Sequence, residues 1–417
     1  MTERKKPLDG IKVVDLTRAL SGPICTCMLA DYGAHVIKIE GLDCELMRGY
    51  PNGGMAKATE ANDGFRNFAS IHRNKDTVCM NLRDPECKAV LMDMLTDADV
   101  LISNFRPGTT KAMGIDYDAL KEKYPRLICA EISAFREKGR EMEPGYDVVV
   151  QAASGIIAAT GYPGQPPCKP GPSMADMASG LQMTQGILLA LLERERSGLG
   201  QLVQVKMQDA AMFMMAQYST PLIDNPDYEF RPNGMAHIEA TPSNGFKTAD
   251  GYIFTAPAGD KLFPIFCNLI GMPDLPSDPR FNTHQNLIDN RHILYDEILG
   301  PMFLSNTTEY WYKKLSAAGL PVSPIATPKE AWCKAAEQGS QIVATVHHPR
   351  FGDMHVPGLA IELSATPGSV DKNAPYPGEQ TYAVLHGLGR TDEQIKEMEQ
   401  RGVIRCWREE DNGCESK

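Results

Sequence analysis

The first forty residues hold the pattern that most constrains the fold. Residues 11–16 predict a buried strand and His35–Glu40 predict a second, since each is a short run rich in Val and Ile. Between them, Pro23 suits the first turn of a helix and Gly33 suits its end. A strand, a helix and a second strand over this length form a βαβ unit, which starts a parallel sheet. The pattern therefore predicts a doubly wound α/β domain.

The alternation of strands and helices continues beyond this unit. Further strands are predicted at 77–81, 99–103 and 127–133, and further helices at 84–98, 117–123 and 177–192. A polar linker is predicted at 225–240. Two strands about Asp250-Gly251 and helices at 261–270, 289–303 and 308–318 then predict a smaller α+β domain. The last predicted helices are 380–388 and 391–400.

Charge and cysteine usage narrow the class of protein. The net charge of −11 over 417 residues disfavours nucleic acid or an anionic membrane as a partner. No run reaches the roughly 18 apolar residues of a membrane span. The 11 cysteines are scattered without zinc spacing, and the adjacent His347 and His348 would point to opposite faces of a strand, so no metal site is expected. These features predict a cytoplasmic protein with reduced thiols.

Asp176 stands at a joint in the sequence. A Pro- and Gly-rich run, 161–172, ends just before it, and an apolar helical run begins at Met177. Asp176 is therefore predicted at the N-cap of that helix, where backbone N–H groups and the helix dipole favour the charged carboxylate. The charged form is also the form that attacks an electrophile. Two interpretations follow, a helix cap alone or a cap that is also a nucleophile.

Several familiar catalytic motifs are missing. No GxGxxG follows the first strand, which disfavours a nicotinamide-binding domain, and no Walker A sequence is present, which disfavours ATP-driven acyl activation. The stretch Gly171-Pro172-Ser173-Met174-Ala175 matches only part of the GxSxG elbow of serine hydrolases. Because its last glycine is missing, a serine hydrolase is disfavoured as well.

Ordered segments along almost the whole chain resemble the class III CoA-transferases, which include formyl-CoA transferase and carnitine CoA-transferase. The opening, residues 6–16 with Gly22-Pro23 and residues 33–40, is similar to the opening of that family. Later similar segments are Asn74-Lys75, Asn104-Phe105-Arg106-Pro107-Gly108, Gly145-Tyr146-Asp147, residues 151–155, Gly198-Leu199-Gly200-Gln201 and residues 374–379. The order of the segments, more than any one of them, carries the resemblance.

The resemblance implies a fold beyond the reach of the patterns. It implies a Rossmann-like large domain built from both chain ends, a smaller α+β domain between them, and two chains interlocked as a homodimer. The corresponding expectation places the large domain at 1–215 and 366–417, linkers at 216–240 and 326–365, and the small domain at 241–325.

The resemblance also implies a reaction. Asp176 aligns with the family's catalytic aspartate, which attacks the donor acyl-CoA carbonyl to give a mixed anhydride and then an aspartyl-CoA thioester. A carboxylic acid acceptor finally takes the CoA, so acyl-CoA is a substrate and no permanently bound cofactor is expected. Each step needs donors for an oxyanion. Backbone N–H groups near the start of the Met177 helix or across the small-domain interface are the candidates.

The remaining site residues follow from the same resemblance. The CoA-binding candidates are Asn104, Phe105, Met80, Lys75, Arg106, Met113 and Met207. Phe105 either stacks on adenine or fills core, and Lys75 and Arg106 meet either phosphates or solvent. The possible active-site residues are Tyr146, Asp147, Leu20, Ser21 and Tyr50, of which Asp147 either orients Asp176 or substrate, or caps a helix.

Some positions depart from formyl-CoA transferase. An active-site glutamine of that enzyme falls on Leu20 and a tryptophan on Tyr50, and two CoA-contacting arginines fall on Gly41 and Ala112. The resemblance therefore does not extend to formyl-CoA or oxalate as substrates.

Two other functions remain as alternatives. The α-methylacyl-CoA racemases resemble the same family but use the His of a Gly-His-Asp triplet as a base. Here the triplet is Gly145-Tyr146-Asp147, and a tyrosine is a poor base near neutral pH. A non-catalytic acyl-CoA-binding protein would need the CoA contacts but not Asp176.

Overall fold

The computed structural model describes residues 5–49, 65–349 and 351–408. The chain forms two compact units. The first comprises Met1–Ile156, Pro170–Asp224 and Gln338–Lys417, and the second comprises Ile157–Lys169 and Asn225–Glu337. Neither the first nor the second unit contains, among these described residues, a helix long and apolar enough to cross a membrane.

The first unit is built on a central mixed sheet. Within the described residues the sheet has seven strands in the order β12-β3-β2-β1-β4-β5-β6. Their bounds are β1 Lys12–Asp15, β2 His35–Glu40, β3 Asp76–Met80, β4 Val100–Ser103, β5 Ile128–Ser133, β6 Leu202–Lys206 and β12 Ile404–Arg405. Neighbouring strands from β3 to β6 are parallel, and β12 is antiparallel to β3. The predicted α/β fold with a parallel core is confirmed, with one antiparallel edge.

The strand order creates a switch point between β1 and β4. The chain builds outward from β1 through β2 and β3, then returns to the other side of β1 with β4. In open α/β sheets of this order, ligands bind in the crevice outside the carboxyl ends of the strands at that point. The loops after Asp15 and Ser103 border this crevice.

Helices cover both faces of the sheet, because the parallel strands are apolar on both sides. Along β1, Val13 packs into the core on one face and Val14 into the core on the other. The helices of this unit are α1 Ser21–Asp31, α2 Phe65–His72, α3 Pro85–Met94, α4 Thr109–Met113, α5 Tyr117–Leu120, α6 Asp147–Ser154, α8 Met174–Ser197, α9 Met207–Phe213, α10 Ser219–Asp224, α16 Thr381–Gly387 and α17 Asp392–Gln400.

The long helix α8 packs against α1 through a glycine. A Cβ added at Gly180 would lie 2.6 Å from the Ser21 carbonyl oxygen and 2.2 Å from Ile24 Cγ2, so only glycine permits this approach. The helix runs three residues further towards the N-terminus than predicted, to Met174, and ends before Gly198, whose φ is 74°.

A hairpin completes the first unit. β10 Val343–His348 pairs with β11 Gly352–Pro357, and Val346, Met354 and Val356 pack against Phe68 of α2. The hairpin was not among the predicted strands. Its short β-branched runs lie in the stretch assigned to a linker, and their packing partner is far away in sequence.

The second unit pairs a small antiparallel sheet with helices. Its strands are β7 Asn244–Lys247, β8 Tyr252–Thr255 and β9 Val322–Pro324, and its helices are α11 Leu262–Leu269, α12 His284–Asp289, α13 Gly300–Leu304, α14 Thr308–Ala317 and α15 Pro328–Glu337. The helix α7 Ile156–Ala159 lies at the point where the chain passes between the units. The predicted helix 289–303 instead consists of a π-helix over Ile293–Leu299 followed by α13, and α12 ends at Asp289, where that helix was predicted to begin.

Candidate active site

Asp176 lies in the first turn of α8, not at its N-cap. The N-cap residue is Ser173, and Asp176 is the third residue of the helix. The Ser173 side chain makes no capping hydrogen bond. The prediction that Asp176 itself caps this helix is therefore wrong, and the cap comes from elsewhere.

Asp147 supplies that cap from another helix. It is the first residue of α6, and its Oδ1 accepts hydrogen bonds from the backbone N–H groups of Ala175 at 2.9 Å and Asp176 at 3.2 Å. Its other oxygen accepts a 2.5 Å hydrogen bond from Gln151 Nε2, one turn further along α6. Asp147 is buried. It thus caps a helix, one of the two predicted roles, and in doing so holds the segment that carries Asp176.

Burial and the neighbouring Asp147 carboxylate raise the pKa of Asp176. Burial raises the pKa of Asp176 to about 7, and the negative charge of Asp147 adds to the increase. The sequence predicted the opposite direction, because a capping carboxylate gains hydrogen bonds that stabilise its charge. Here those N–H groups donate to Asp147, so Asp176 bears the desolvation without them.

The first-turn N–H groups of α8 are already committed. Ala175 and Asp176 donate to Asp147, Met174 donates to the Pro172 carbonyl at 3.0 Å, and Met177 donates to the Ser173 carbonyl at 3.0 Å. The predicted oxyanion donors at this helix start would have to break one of these bonds. These N–H groups are therefore not free to act as the predicted oxyanion donors.

The start of α1 lies beside this turn. Asp176 is four residues before Gly180, hence on the same face of α8, and Gly180 contacts the Ser21 carbonyl. Ser21 is buried, and Leu20 is the N-cap residue of α1 without a side-chain cap. Of the predicted active-site residues, Asp147 thus contacts the Asp176 backbone, and Ser21, with Leu20 before it, lies against α8 one turn after Asp176.

Asn104 joins the two loops of the switch point. Its Oδ1 accepts from the Arg18 backbone N–H at 2.8 Å, and its Nδ2 donates to the Arg18 carbonyl at 2.7 Å and to Ser21 Oγ at 3.4 Å. This two-way bond fixes the loop after β1 against the loop after β4. Asn104 therefore holds in place the loop that leads into α1.

A cavity of about 640 Å³ opens at the carboxyl ends of β1 to β4. Three of the predicted CoA contacts, Met80, Phe105 and Met113, line it together with Leu16 and Ile39. A volume of this size suits a nucleotide-sized ligand. Met80 ends β3, Phe105 follows β4 and Met113 ends α4, so these three predicted contacts reach one cavity from separate elements of the fold.

Lys75 does not belong to this cavity, which corrects its prediction as a phosphate ligand. Its ammonium is fully buried and donates to Thr26 Oγ1 at 2.8 Å and to the Pro23 carbonyl at 3.0 Å. Asp15 Oδ2 lies 3.4 Å away. A buried ammonium held by these groups cannot reach a ligand, and local sequence could not reveal the buried partner.

Other predicted residues lie apart from the cavity. Met207 is buried in the core on the opposite face of the sheet from Met80, so it is not a cavity residue. Arg106 is exposed and is not part of the cavity wall. Tyr146 is the N-cap of α6 and is 69% exposed. Tyr50 lies outside the described residues.

Two buried ion pairs at the cavity wall were not predicted from the sequence. Lys38 Nζ lies 3.1 Å from Glu45 Oε2, and Arg48 Nη2 lies 2.6 Å from Glu40 Oε1. Glu45 Oε1 also accepts from the Ala19 N–H at 2.9 Å, and Ala19 has a φ of 62°. The available signal was the alternation of polar and apolar residues in β2. A strand whose polar side faces the interior needs buried charge partners.

Comparison with known proteins places this geometry in a family. The profile of the family described as CoA-transferase family III matches residues 8–381. This chain belongs to CoA-transferase family III. The predicted family is therefore confirmed, and so is the prediction of an enzyme of the CoA-transferase class.

Relatives of this CoA-transferase cover nearly the whole chain. An acyl-CoA transferase of Fusarium pseudograminearum is 32% identical over 403 residues, which cover 95% of this chain and 88% of the relative. A succinyl-CoA:glutarate CoA-transferase of Mus musculus is 30% identical over 96% of this chain and 90% of its own. The crystal structure of Rv3272 from Mycobacterium tuberculosis superposes with a TM-score of 0.79 at 30% identity, covering 91% of this chain and 99% of that one.

One group of described residues in this CoA-transferase has the composition of a metal site. Glu40, Cys44 and Cys79 place one ligand atom each within 4.8 Å of one another. Both Glu40 oxygens, however, already accept hydrogen bonds, from Arg48 and from the Glu45 backbone N–H. The Glu40 carboxylate is therefore already paired with the Arg48 guanidinium.

Proposed function

We propose that this chain moves CoA from an acyl-CoA thioester to a carboxylic acid acceptor, with Asp176 as the nucleophile. The observation that carries the proposal is the half-buried Asp176 carboxyl in the first turn of α8, on a backbone fixed by Asp147. A carboxyl group in such a place has few strong partners in the ground state. It is therefore available to a substrate carbonyl.

The steps balance without ATP. The Asp176 carboxylate attacks the acyl carbonyl, and the C–S bond of the thioester breaks. CoA leaves as a thiolate, and a mixed anhydride between Asp176 and the acyl group remains. The thiolate attacks the aspartyl carbonyl of the anhydride, releases the first acid and leaves an aspartyl-CoA thioester. The acceptor carboxylate then attacks the aspartyl carbonyl of this thioester, which releases the CoA thiolate and gives a second anhydride. The thiolate returns and attacks the acceptor carbonyl of that anhydride. This last attack frees Asp176 and yields the new acyl-CoA.

The cavity at the carboxyl ends of β1 to β4 is proposed to hold the nucleotide end of CoA. Phe105 and Met80 offer apolar surface for the adenine. With Lys75 buried, we assign the phosphate contacts to Arg18 and Arg83, which both line the cavity. Arg18 is only loosely engaged, since its Nη2 lies 3.6 Å from Asp43 Oδ2.

The first acid pair to test is a short dicarboxylate pair. The relative from Mus musculus is named a succinyl-CoA:glutarate CoA-transferase, and that name motivates succinyl-CoA as donor and glutarate as acceptor. A panel of other acids read by mass spectrometry extends the search. This identification of substrate rests on the relative and not on the cavity.

A homodimer is part of the proposal. α8 exposes a row of large apolar side chains, Leu181, Leu188, Leu189 and Leu192, each more than 40% accessible. Apolar residues repeated along one helix face are typical of a surface covered by another protein. A second copy of this chain is the occupant that the resemblance to class III CoA-transferases implies.

A trapping experiment tests the covalent step. The protein is incubated with succinyl-CoA without acceptor, treated with hydroxylamine, digested and analysed by mass spectrometry. We expect an aspartyl hydroxamate at Asp176, because hydroxylamine displaces CoA from the thioester or the acid from the anhydride. Asp209, an exposed aspartate of α9, is the internal control and should stay unmodified. Turnover with an unmodified Asp176 peptide would contradict the proposal.

The pH dependence of transfer tests the pairing of the two carboxyl groups. Asp176 attacks only when ionised, and its pKa is raised to about 7, so kcat/KM should rise with pH through neutrality. Asp147→Asn removes the neighbouring charge, yet its amide oxygen can still accept from Ala175 and Asp176. We therefore expect the inflection to move to lower pH, with the shift measured in kcat/KM profiles from about pH 5 to about pH 9.

Two controls define this experiment. Glu131→Gln removes a carboxylate that instead bonds Thr110 and Gln204, and it should leave the inflection where it is in the unaltered enzyme. Asp147→Ala removes both the charge and the cap, and should lower stability by about 1 kcal/mol. An inflection that stays the same in Asp147→Asn would show that Asp147 does not set the ionisation of Asp176.

A further inference from the structure

Two thiols meet at the wall of the cavity. Cys79 is buried on β3, where it pairs in register with Glu40 of β2. Cys44 lies in the loop after β2, half-buried, with a left-handed φ of 59°, and lines the cavity. Their sulfur atoms lie within 4.8 Å of each other. One thiol thus faces a solvent-accessible cavity and the other lies directly behind it.

The surroundings make Cys44 the reactive member of the pair. A hydrogen bond from the Cys79 thiol lowers the pKa of Cys44 to about 7, with the charges of Arg48 and Arg405 contributing, and the same bond raises the pKa of Cys79. Arg405 Nη1 lies 3.8 Å from Cys44 Sγ. The lowered pKa favours the Cys44 thiolate, which is the nucleophilic and oxidisable form.

Three other thiols in the described part of the chain lie in a different environment. Burial raises the pKa of Cys25, Cys27 and Cys129 to about 12. These three are inert at neutral pH, because the thiolate is the reactive species. The combination of cavity exposure, neighbouring cations and a second thiol distinguishes Cys44.

A metal site is the competing interpretation of the same group. It is disfavoured because Glu40 already accepts 2.6 Å and 2.9 Å hydrogen bonds from Arg48 and a 2.8 Å bond from the Glu45 N–H. A divalent cation would also sit between the guanidinium groups of Arg48 and Arg405, where like charges repel it. The same two cations stabilise a thiolate.

We propose that Cys44 and Cys79 form a redox-active dithiol, which hydrogen peroxide converts to an intramolecular disulfide. The Cys44 thiolate attacks peroxide, which gives a Cys44 sulfenic acid and hydroxide as the O–O bond breaks. The Cys79 sulfur then attacks the sulfenic sulfur, forms the S–S bond and releases water with its own thiol proton. Two electrons pass from the thiols to one peroxide, and a dithiol reductant restores both thiols.

The disulfide would act on the cavity wall. It draws Cys44 towards β3, and the same loop carries Glu45, which holds both Lys38 and the Ala19 N–H. Weaker binding of acyl-CoA by the oxidised protein is the expected consequence. That consequence rests on the proposed function, whereas formation of the bond does not, so a thiol count and a transfer assay report on the two proposals separately.

A thiol count with peptide mapping tests the bond. The full chain is reduced, freed of reductant, treated with hydrogen peroxide, blocked with N-ethylmaleimide and digested. We expect the loss of two of the 11 thiols and a disulfide-linked peptide pair containing Cys44 and Cys79, both reversed by dithiothreitol. Loss of thiol confined to the exposed Cys168 and Cys333, with no such peptide pair, would overturn the proposal.

Variants sharpen the assignment. Cys333→Ser, at an exposed thiol, should leave the two-thiol loss unchanged, whereas Cys44→Ser should abolish it. Cys79→Ala removes the hydrogen bond to Cys44 as well as the second thiol, so Cys44 should be oxidised more slowly and should remain as a sulfenic acid that dimedone captures. Because Cys79 is buried, the peptide map of the unaltered chain remains decisive if this variant does not fold. Stoichiometric binding of Zn²⁺ to the reduced chain, lost in Cys44→Ser, would assign the group to a metal and overturn the proposal.

Discussion

Replacing Asp176 by alanine should lower kcat for CoA transfer by roughly a thousand-fold or more, because the covalent route has no other nucleophile at this position. Alanine is a good helix former, so α8 should persist. The measurement is the steady-state rate with succinyl-CoA and glutarate, followed by mass spectrometry. Retained turnover in Asp176→Ala would exclude Asp176 as the nucleophile.

Ser173→Ala is the matched control for this variant. Ser173 lies three residues before Asp176, and its side chain makes no capping hydrogen bond, so kcat should stay within about three-fold of the unaltered enzyme. Loss of activity in Ser173→Ala with retention in Asp176→Ala would instead favour a serine hydrolase. The two variants together separate the nucleophile from the turn that carries it.

A stability measurement shows whether the loss of rate reflects lost chemistry. The pKa of Asp176 is raised from 3.8 to about 7 in the fold, so the protonated form is favoured and stability falls as pH rises through 7. Asp176→Asn cannot ionise. Its thermal midpoint should exceed that of the unaltered enzyme above about pH 7, and the difference should shrink as the pH falls from about 7 towards 3.8, the pKa of this carboxyl in the unfolded chain. An inactive variant that is also more stable has lost a nucleophile and not a fold.

The second large effect is expected at Lys75. Lys75→Met leaves the buried Asp15 carboxylate without its cation, and breaking a buried pair in this way costs about 3–5 kcal/mol. Burial opposes ionisation of Asp15, but the Lys75 and Lys38 charges outweigh it and hold its pKa below the ordinary value. Native-state hydrogen exchange of peptides from β1 and β3 should accelerate by roughly 10²–10⁴-fold, as expected when unfolding of the sheet becomes easier.

Lys372→Met provides a control with the same separation. Lys372 Nζ lies 3.4 Å from Asp76, as Lys75 Nζ does from Asp15, but the Lys372 side chain is 64% exposed. Its loss should change stability by no more than about 0.5 kcal/mol. Adding Asp15→Asn to Lys75→Met should recover part of the exchange protection, because the orphaned charge is gone. Unchanged exchange in Lys75→Met would show that the pair does not stabilise the sheet.

Local patterns predicted most of the sheet of the first unit. His35–Glu40 forms a strand with the predicted bounds, and β1 lies within residues 11–16. Such strands are predictable because a strand that is buried on both faces of a parallel sheet is a short apolar run, whatever its position in the sheet. The resemblance to class III CoA-transferases added Met80, Phe105 and Met113, which lie on separate elements, and it chose the nucleophile between the two interpretations of Asp176.

What sequence could not predict depends on partners distant along the chain. The cap of α8 comes from Asp147, 29 residues before Asp176, so a local rule assigned the cap to the wrong aspartate. Lys75 is charged and stands in a polar stretch, which locally predicts exposure, yet its anion lies 60 residues away. Both corrections concern buried charges, whose position is decided by tertiary contacts.

The strand β12 is the last strand of the described sheet to be synthesised, and it pairs with one of the first. Residues 404–405 pair with the last two residues of β3, Cys79 and Met80, which are synthesised far earlier. During translation β3 therefore stays at an open edge while about 320 further residues emerge, and an open edge is a template for pairing with other chains.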